Sequence, residues 1–179
     1  MPKYFTETDL AALKVLRAHM RESMPKALSS GMPITPTMLM YKAAPNGDLM
    51  EMPVPMKSGT KKEDMKATMV AFLTASKADA YALVEAMWTV PGVSAADMAS
   101  IAMYRMGGGK VRDWPGAEER VFVLFQGRGA WKMMFSQVQR VPGAVRLTEP
   151  QDVEDESDVV RFGAGTPVQE LTGLAGIGA

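Results

Sequence analysis

Three stretches decide the fold: ADAYALVEAMWTV at residues 78–90, ERVFVLFQ at 119–126 and AWKMMFSQVQRV at 130–141. They are rich in β-branched and aromatic residues, and glycine or proline bounds at least one end of each, the pattern of long strands. In the first, Tyr81, Leu83 and Met87 point to one side and Val84 and Trp88 to the other. Apolar residues on both faces mark a central strand, covered on each side. Gly127-Arg128-Gly129 supplies a hairpin tip between the second and third stretches, and Pro142-Gly143 turns the chain again into AVRLTE.

Upstream, Thr60-Lys61-Lys62-Glu63 has the form of a capping box. Met65, Met69, Phe72 and Leu73 follow at i, i+4, i+7 and i+8, which predicts the main packing helix over Lys61 to Lys77. Each such side chain is worth roughly 1.5–3 kcal/mol when buried. Before it, ITPTMLMYKA and DLMEMPVPM flank Ala44-Pro45-Asn46-Gly47, a hairpin whose prolines at 36, 53 and 55 place it at a sheet edge or make its second arm partly polyproline-like. A first helix runs from Thr6 or Thr8 to about Ser23, with Leu10, Leu13, Leu16, Met20 and Met24 on one face and Pro25 ending it. After Pro91-Gly92, Ser94 and Asp97 cap a short inserted helix that Gly107 to Gly109 ends. The expectation is an α+β fold: an antiparallel sheet of about five to six strands, two main packing helices and the short insertion. Residues 1–149 form a single domain. Residues 150–179, acidic in QDVEDESD and then glycine-rich, read as a flexible or partner-bound tail.

Composition narrows the chemistry. The 179 residues carry 20 basic and 20 acidic side chains, without the basic surplus of a dedicated nucleic-acid binder. There is no cysteine, so disulfides, thiolate metal sites and cysteine nucleophiles are excluded. The single histidine, His19, has no nucleophile motif to serve and reads as solvent-facing. Gly107-Gly108-Gly109-Lys110 follows a helix and lacks the phosphate-loop spacing, so it is a connector. MPKYFTETDL has no apolar signal region, and no run approaches the ~20 residues of a membrane span. No cofactor and no metal ligand set is expected. The 17 methionines, Met65, Met69, Met133 and Met134 among them, read chiefly as adaptable core filling.

Two charged residues stand in apolar strand surroundings, Glu85 and Arg120. An isolated buried carboxylate costs several kcal/mol, on the order of the ion-desolvation penalty, so Glu85 needs a partner. Arg120 heads the next long strand and is the candidate. The structural reading is an ion pair that fixes strand register. The catalytic reading makes Glu85 a general base and Arg120 an anion clamp. Trp88 and Trp131 read as core or interface residues. Trp114, between Lys110, Arg112 and a proline, reads as a loop-borne binding aromatic, with Arg128 at the hairpin tip completing the binding set.

ADAYALVEAMWTV followed after a loop by PGAEERVFVLFQ resembles a loosely defined set of small α+β proteins of bacteria and their phages. Their pattern is a helix, a strand ending in a Glu-Ala-Trp-like motif, a loop, an arginine-led strand and a final hairpin. Here Glu85-Ala86-Met87-Trp88 carries an inserted methionine, and Arg120 takes the strand-leading position. The resemblance covers residues 60–140 and implies a phage or prophage setting, in the bacterial cytoplasm or the virion, but no activity. The expected function is non-enzymatic: an interaction or assembly protein working as a homo-oligomer or through a protein partner, as a virion component or an inhibitor of a host system. The alternative is a small-ligand-binding or hydrolytic enzyme centred on Glu85 and Arg120.

Overall fold

The computed structural model describes residues 4–30, 37–53, 62–128 and 130–153. In chain order these form α1 (Glu7–Glu22), α2 (Met24–Ser29), β1 (Thr37–Lys42), β2 (Asp48–Pro53), α3 (Lys62–Ser76), β3 (Ala80–Thr89), α4 (Ala95–Met106), β4 (Glu118–Gln126), β5 (Trp131–Val141), β6 (Ala144–Leu147) and β7 (Gln151–Asp152), with a 3-10 turn at Val111–Asp113. The fold is α+β. Its antiparallel sheet has the order β2-β1-β3-β4-β5-β6, and β7 also pairs with β5. The expected central strand is β3, held between β1 and β4, and the hairpin β1–β2 lies at the edge.

The alternation along β3 sorts the core into two layers, as its two-sided apolar pattern requires. On one face Leu39, Ala82, Val84, Val121, Val123 and Phe125 pack against Leu13, Leu16 and Met20 of α1 and Met24 and Leu28 of α2. On the other, Met38, Met40, Leu83, Leu124 and Met133 meet Met69 of α3. Register fixes the second layer, with Leu83 opposite Leu124 and Leu124 opposite Met133. Unbranched methionine fills the uneven gap between helix and sheet.

Several expectations need correction. Pro25 does not end the helical region. It sits in the first turn of α2, where its missing N–H costs nothing. Leu10 and Phe72, assigned to apolar helix faces, are both exposed, because each lies just outside the arc its helix turns to the sheet. The side chain of Met65 and the capping box at Thr60 lie outside the described residues. His19 is half-buried rather than solvent-facing, with Nε2 3.1 Å from Oε1 of Glu51 on β2. The tail begins later than the composition suggests, since Gln151 and Asp152 pair with Phe135 and Met134. Residues 154–179 lie outside the description.

The N-terminus of α1 is fastened to the β4–β5 tip. Thr6 caps the helix, its Oγ1 accepting from Asp9 N at 3.1 Å, while Asp9 Oδ2 accepts from Thr6 N at 2.9 Å. The other Asp9 oxygen, Oδ1, accepts from Arg128 N at 2.9 Å. Asp9 is 0% exposed, and a Cβ on Gly127 would overlap its carboxylate. A local capping motif thus doubles as a long-range clamp.

Candidate functional site

Glu85 and Arg120 lie on one face of the sheet but not in one pair. Glu85 stands opposite Phe122, and Arg120 opposite Met87. The Arg120 guanidinium lies over the Phe135 ring, 4.4 Å from its centroid, which turns it toward β5 and away from β3. There it donates from Nε (3.2 Å) and Nη2 (2.8 Å) to Oε2 of Glu118, two residues back on its own strand. The expected Glu85–Arg120 ion pair is therefore replaced by Glu118–Arg120. A diagonal neighbour across the ladder sits about 7–8 Å away, and the aromatic ring on the opposite side competes for the same cation.

Glu85 keeps a buried oxygen, Oε2, that accepts no hydrogen bond. Burial pushes its carboxyl above the usual carboxylate range. The folded state then binds this proton more tightly than the unfolded chain, so stability falls as pH rises from the ordinary carboxylate value through the raised one. Glu85→Gln should remove that cost. We expect the variant to match the wild type near pH 4 and to be the more stable of the two at pH 7, read from paired denaturant melts. A large loss at pH 7 would show that Glu85 has a partner that the geometry does not contain.

The residues expected to bind together are split between the two ends of the sheet. Lys110, Arg112 and Trp114 lie beside the end of β3, whereas Arg128 is at the far end of β4. The nine residues of β4 separate them by about 27 Å at ~3.4 Å per residue. Arg128 is ion-paired with Asp79, and Arg112 Nε lies 3.5 Å from Asp113 Oδ1. Trp114 is half-buried and packs edge-on against Tyr104, with ring centroids 5.3 Å apart. The Tyr104 ring also occupies the space a Cβ on Gly109 would need. Trp114 is thus a strut that holds α4, and the glycine connector is shaped to let Tyr104 lie down. Trp88, expected to pack inside or at an interface, is 39% exposed.

None of the expected site residues lies on α4, the helix of the insertion. Its sequence, AADMASIAMYRM, has three polar residues, Asp97, Ser100 and Arg105. A helix apolar on so much of its surface is ordinarily buried. None of its twelve residues is. At 3.6 residues per turn, Ala95, Ala99, Ala102 and Met106 fall within an arc of about 60°, flanked by Met98 and Met103. Ile101 and Tyr104 project to the other side, where Tyr104 meets Trp114, and Asp97 and Ser100 lie on that side too, while Arg105 borders the apolar face about 20° from Met98. The outward face is wholly apolar, with Met103 72% and Met106 85% exposed. The signal was present in the sequence as the 4-3-4 spacing of Ala95, Ala99, Ala102 and Met106.

Among the described residues no helix is long and apolar enough to cross a membrane, and no cluster of three potential metal ligands occurs. No protein-family model, no curated protein and no solved structure matches the chain.

Proposed function

We propose that the protein is a non-enzymatic interaction and assembly protein that associates with a second copy of itself through α4. The observation that carries this reading is the exposed apolar face of that helix, held away from the sheet by the Tyr104–Trp114 strut. The face is self-complementary. Its 4-3-4 spacing is the same in both directions, so a copy running antiparallel sets Ala95 against Met106, Met98 against Met103 and Ala99 against Ala102. Ala99 against Ala102 lets the two backbones approach at the centre, and the flexible methionines fill the flanks. Covering a methionine is worth about 1.5–3 kcal/mol and association costs ~4–15 kcal/mol, so the pairing is concentration-dependent. A phage or prophage setting, resting on the resemblance over residues 60–140, belongs to the same proposal, as does a role in an assembly or against a host partner. The alternative enzyme reading asks Glu85 and Arg120 to act on one substrate, and it is weakened by the engagement of Arg120 with Glu118 and Phe135.

The chain has no cysteine, which makes cross-linking a clean test. The single variants Ala99→Cys and Ala102→Cys, mixed, should give a disulfide-linked heterodimer on mild oxidation, because the two positions face one another across the proposed seam within disulfide reach. Ser100→Cys, on the other side of the helix, should stay monomeric. Equal cross-linking of the mixture and of Ser100→Cys, or of neither, would remove the seam.

A further inference from the structure

We infer that the cleft between α1 and the β5–β6 edge is a binding site for a single phosphate group. It is lined by Arg17, Met20 and Arg21 of α1, by Ser136 of β5, and by Leu147 to Pro150. The inference is independent of the role of α4.

Four observations converge here. First, Ser136 is 1% exposed, points from β5 toward α1, and its Oγ has no hydrogen-bond partner. A buried hydroxyl left unpaired is unusual, and its one proton is available to a ligand in the cleft. Second, Arg17 and Arg21 are four residues apart on one face of α1, and both line the same opening. Third, Arg17 forms no ion pair among the described residues. Arg21 has only a long contact, 3.4 Å, with Glu149, and both of those side chains are largely exposed. Fourth, the cleft holds about 40 Å³. That is room for a few water-sized groups and far below the ~300–1,000 Å³ of sites that enclose a whole metabolite. The occupant is therefore one charged group, with any remaining body outside.

The donor set selects the group. Two planar guanidinium forks above and a hydroxyl below offer more donors than the two oxygens of a carboxylate use. Three free phosphate oxygens can engage all of them. Thr148 closes the side of the cleft, its Oγ1 already accepting from Gln137 N at 2.9 Å, and its hydroxyl proton is free to donate. Glu149 is the built-in competitor: with two arginines it leaves the cleft one net positive charge, and it must release Arg21 for phosphate to bind. Free phosphate and a phosphate monoester share this chemistry.

The test is a titration of the full ¹⁵N-labelled chain with inorganic phosphate at low salt, observing the Ser136 amide and the Nε–H groups of Arg17 and Arg21. Saturable shifts in the millimolar range are expected. Arg17→Gln and Arg21→Gln should each weaken binding about tenfold, Ser136→Ala about fivefold, and Glu149→Gln should tighten it about threefold. The opposite sign at Glu149 is an effect that general loss of structure does not give. Glycerol 3-phosphate serves as the second probe: binding at least as tight as phosphate assigns a monoester, and exclusion assigns the free ion, and both uphold the site. Shifts no larger than those from chloride at equal ionic strength, or a binding curve unchanged in Arg17→Gln, would overturn it and leave Ser136 bonded to water alone.

Discussion

Asp9→Ala is expected to lower folding stability by about 3–4 kcal/mol, as much as truncating a buried leucine or methionine to alanine. The carboxylate accepts from two backbone N–H groups, Thr6 N beside it and Arg128 N, 119 positions from Asp9 in sequence. Alanine would strand both donors in a partly buried setting and remove the Asp9 half of the α1 capping box. Gly127→Ala attacks the same clamp from the other side, because the new methyl group would overlap the Asp9 carboxylate. A cost of about 2–3 kcal/mol follows from forced displacement of packed atoms. The two changes should not add. Once Asp9 is alanine the space for the methyl exists, so the double variant should be nearly as stable as Asp9→Ala alone. Denaturant unfolding of the three variants measures this cycle. Additive losses would mean that Gly127 is required by its backbone conformation and not by Asp9.

The clamp also shows what a sequence yields and what it withholds. Thr6 was legible as one of two candidate caps, with Thr8, because that signal is local. That the Asp9 carboxylate would reach Arg128 depends on where the β4–β5 tip lands, which no local pattern specifies. The strands followed a similar rule. Alternation placed β3 at the centre and Pro142-Gly143 at a turn, since side-chain period and turn chemistry are properties of neighbouring residues. The pairing of Glu85 with Arg120 failed because strand order alone does not set which cross-strand neighbour an arginine chooses. Phe135 and Glu118 offered stacking and a nearer carboxylate. His19 was misjudged for the same reason, its partner Glu51 lying on a strand 32 positions away. Helix α4 was found at the right place, with Ser94 and Asp97 as its cap. That its apolar face stays uncovered depends on the tertiary structure, which no local pattern specifies.

That uncovered face makes the second large prediction. Ala99→Glu with Ala102→Glu places two charges at the centre of the proposed seam, four in the pair, facing one another and only half offset by the two Arg105 side chains at its border. Like charges desolvated at such a contact cost several kcal/mol, so association should weaken by at least a hundredfold, about 2.7 kcal/mol. Both positions are exposed on the single chain and glutamate favours helix, so the melting transition of the monomer should hardly change. The direct measurement is sedimentation equilibrium of the wild type and this variant over a range of micromolar concentrations. The account predicts that the wild type moves with rising concentration from its 19.4 kDa monomer toward twice that mass, while the variant stays at the monomer mass throughout. A wild type that remains monomeric at the highest concentration, or a variant that associates as the wild type does, would contradict it.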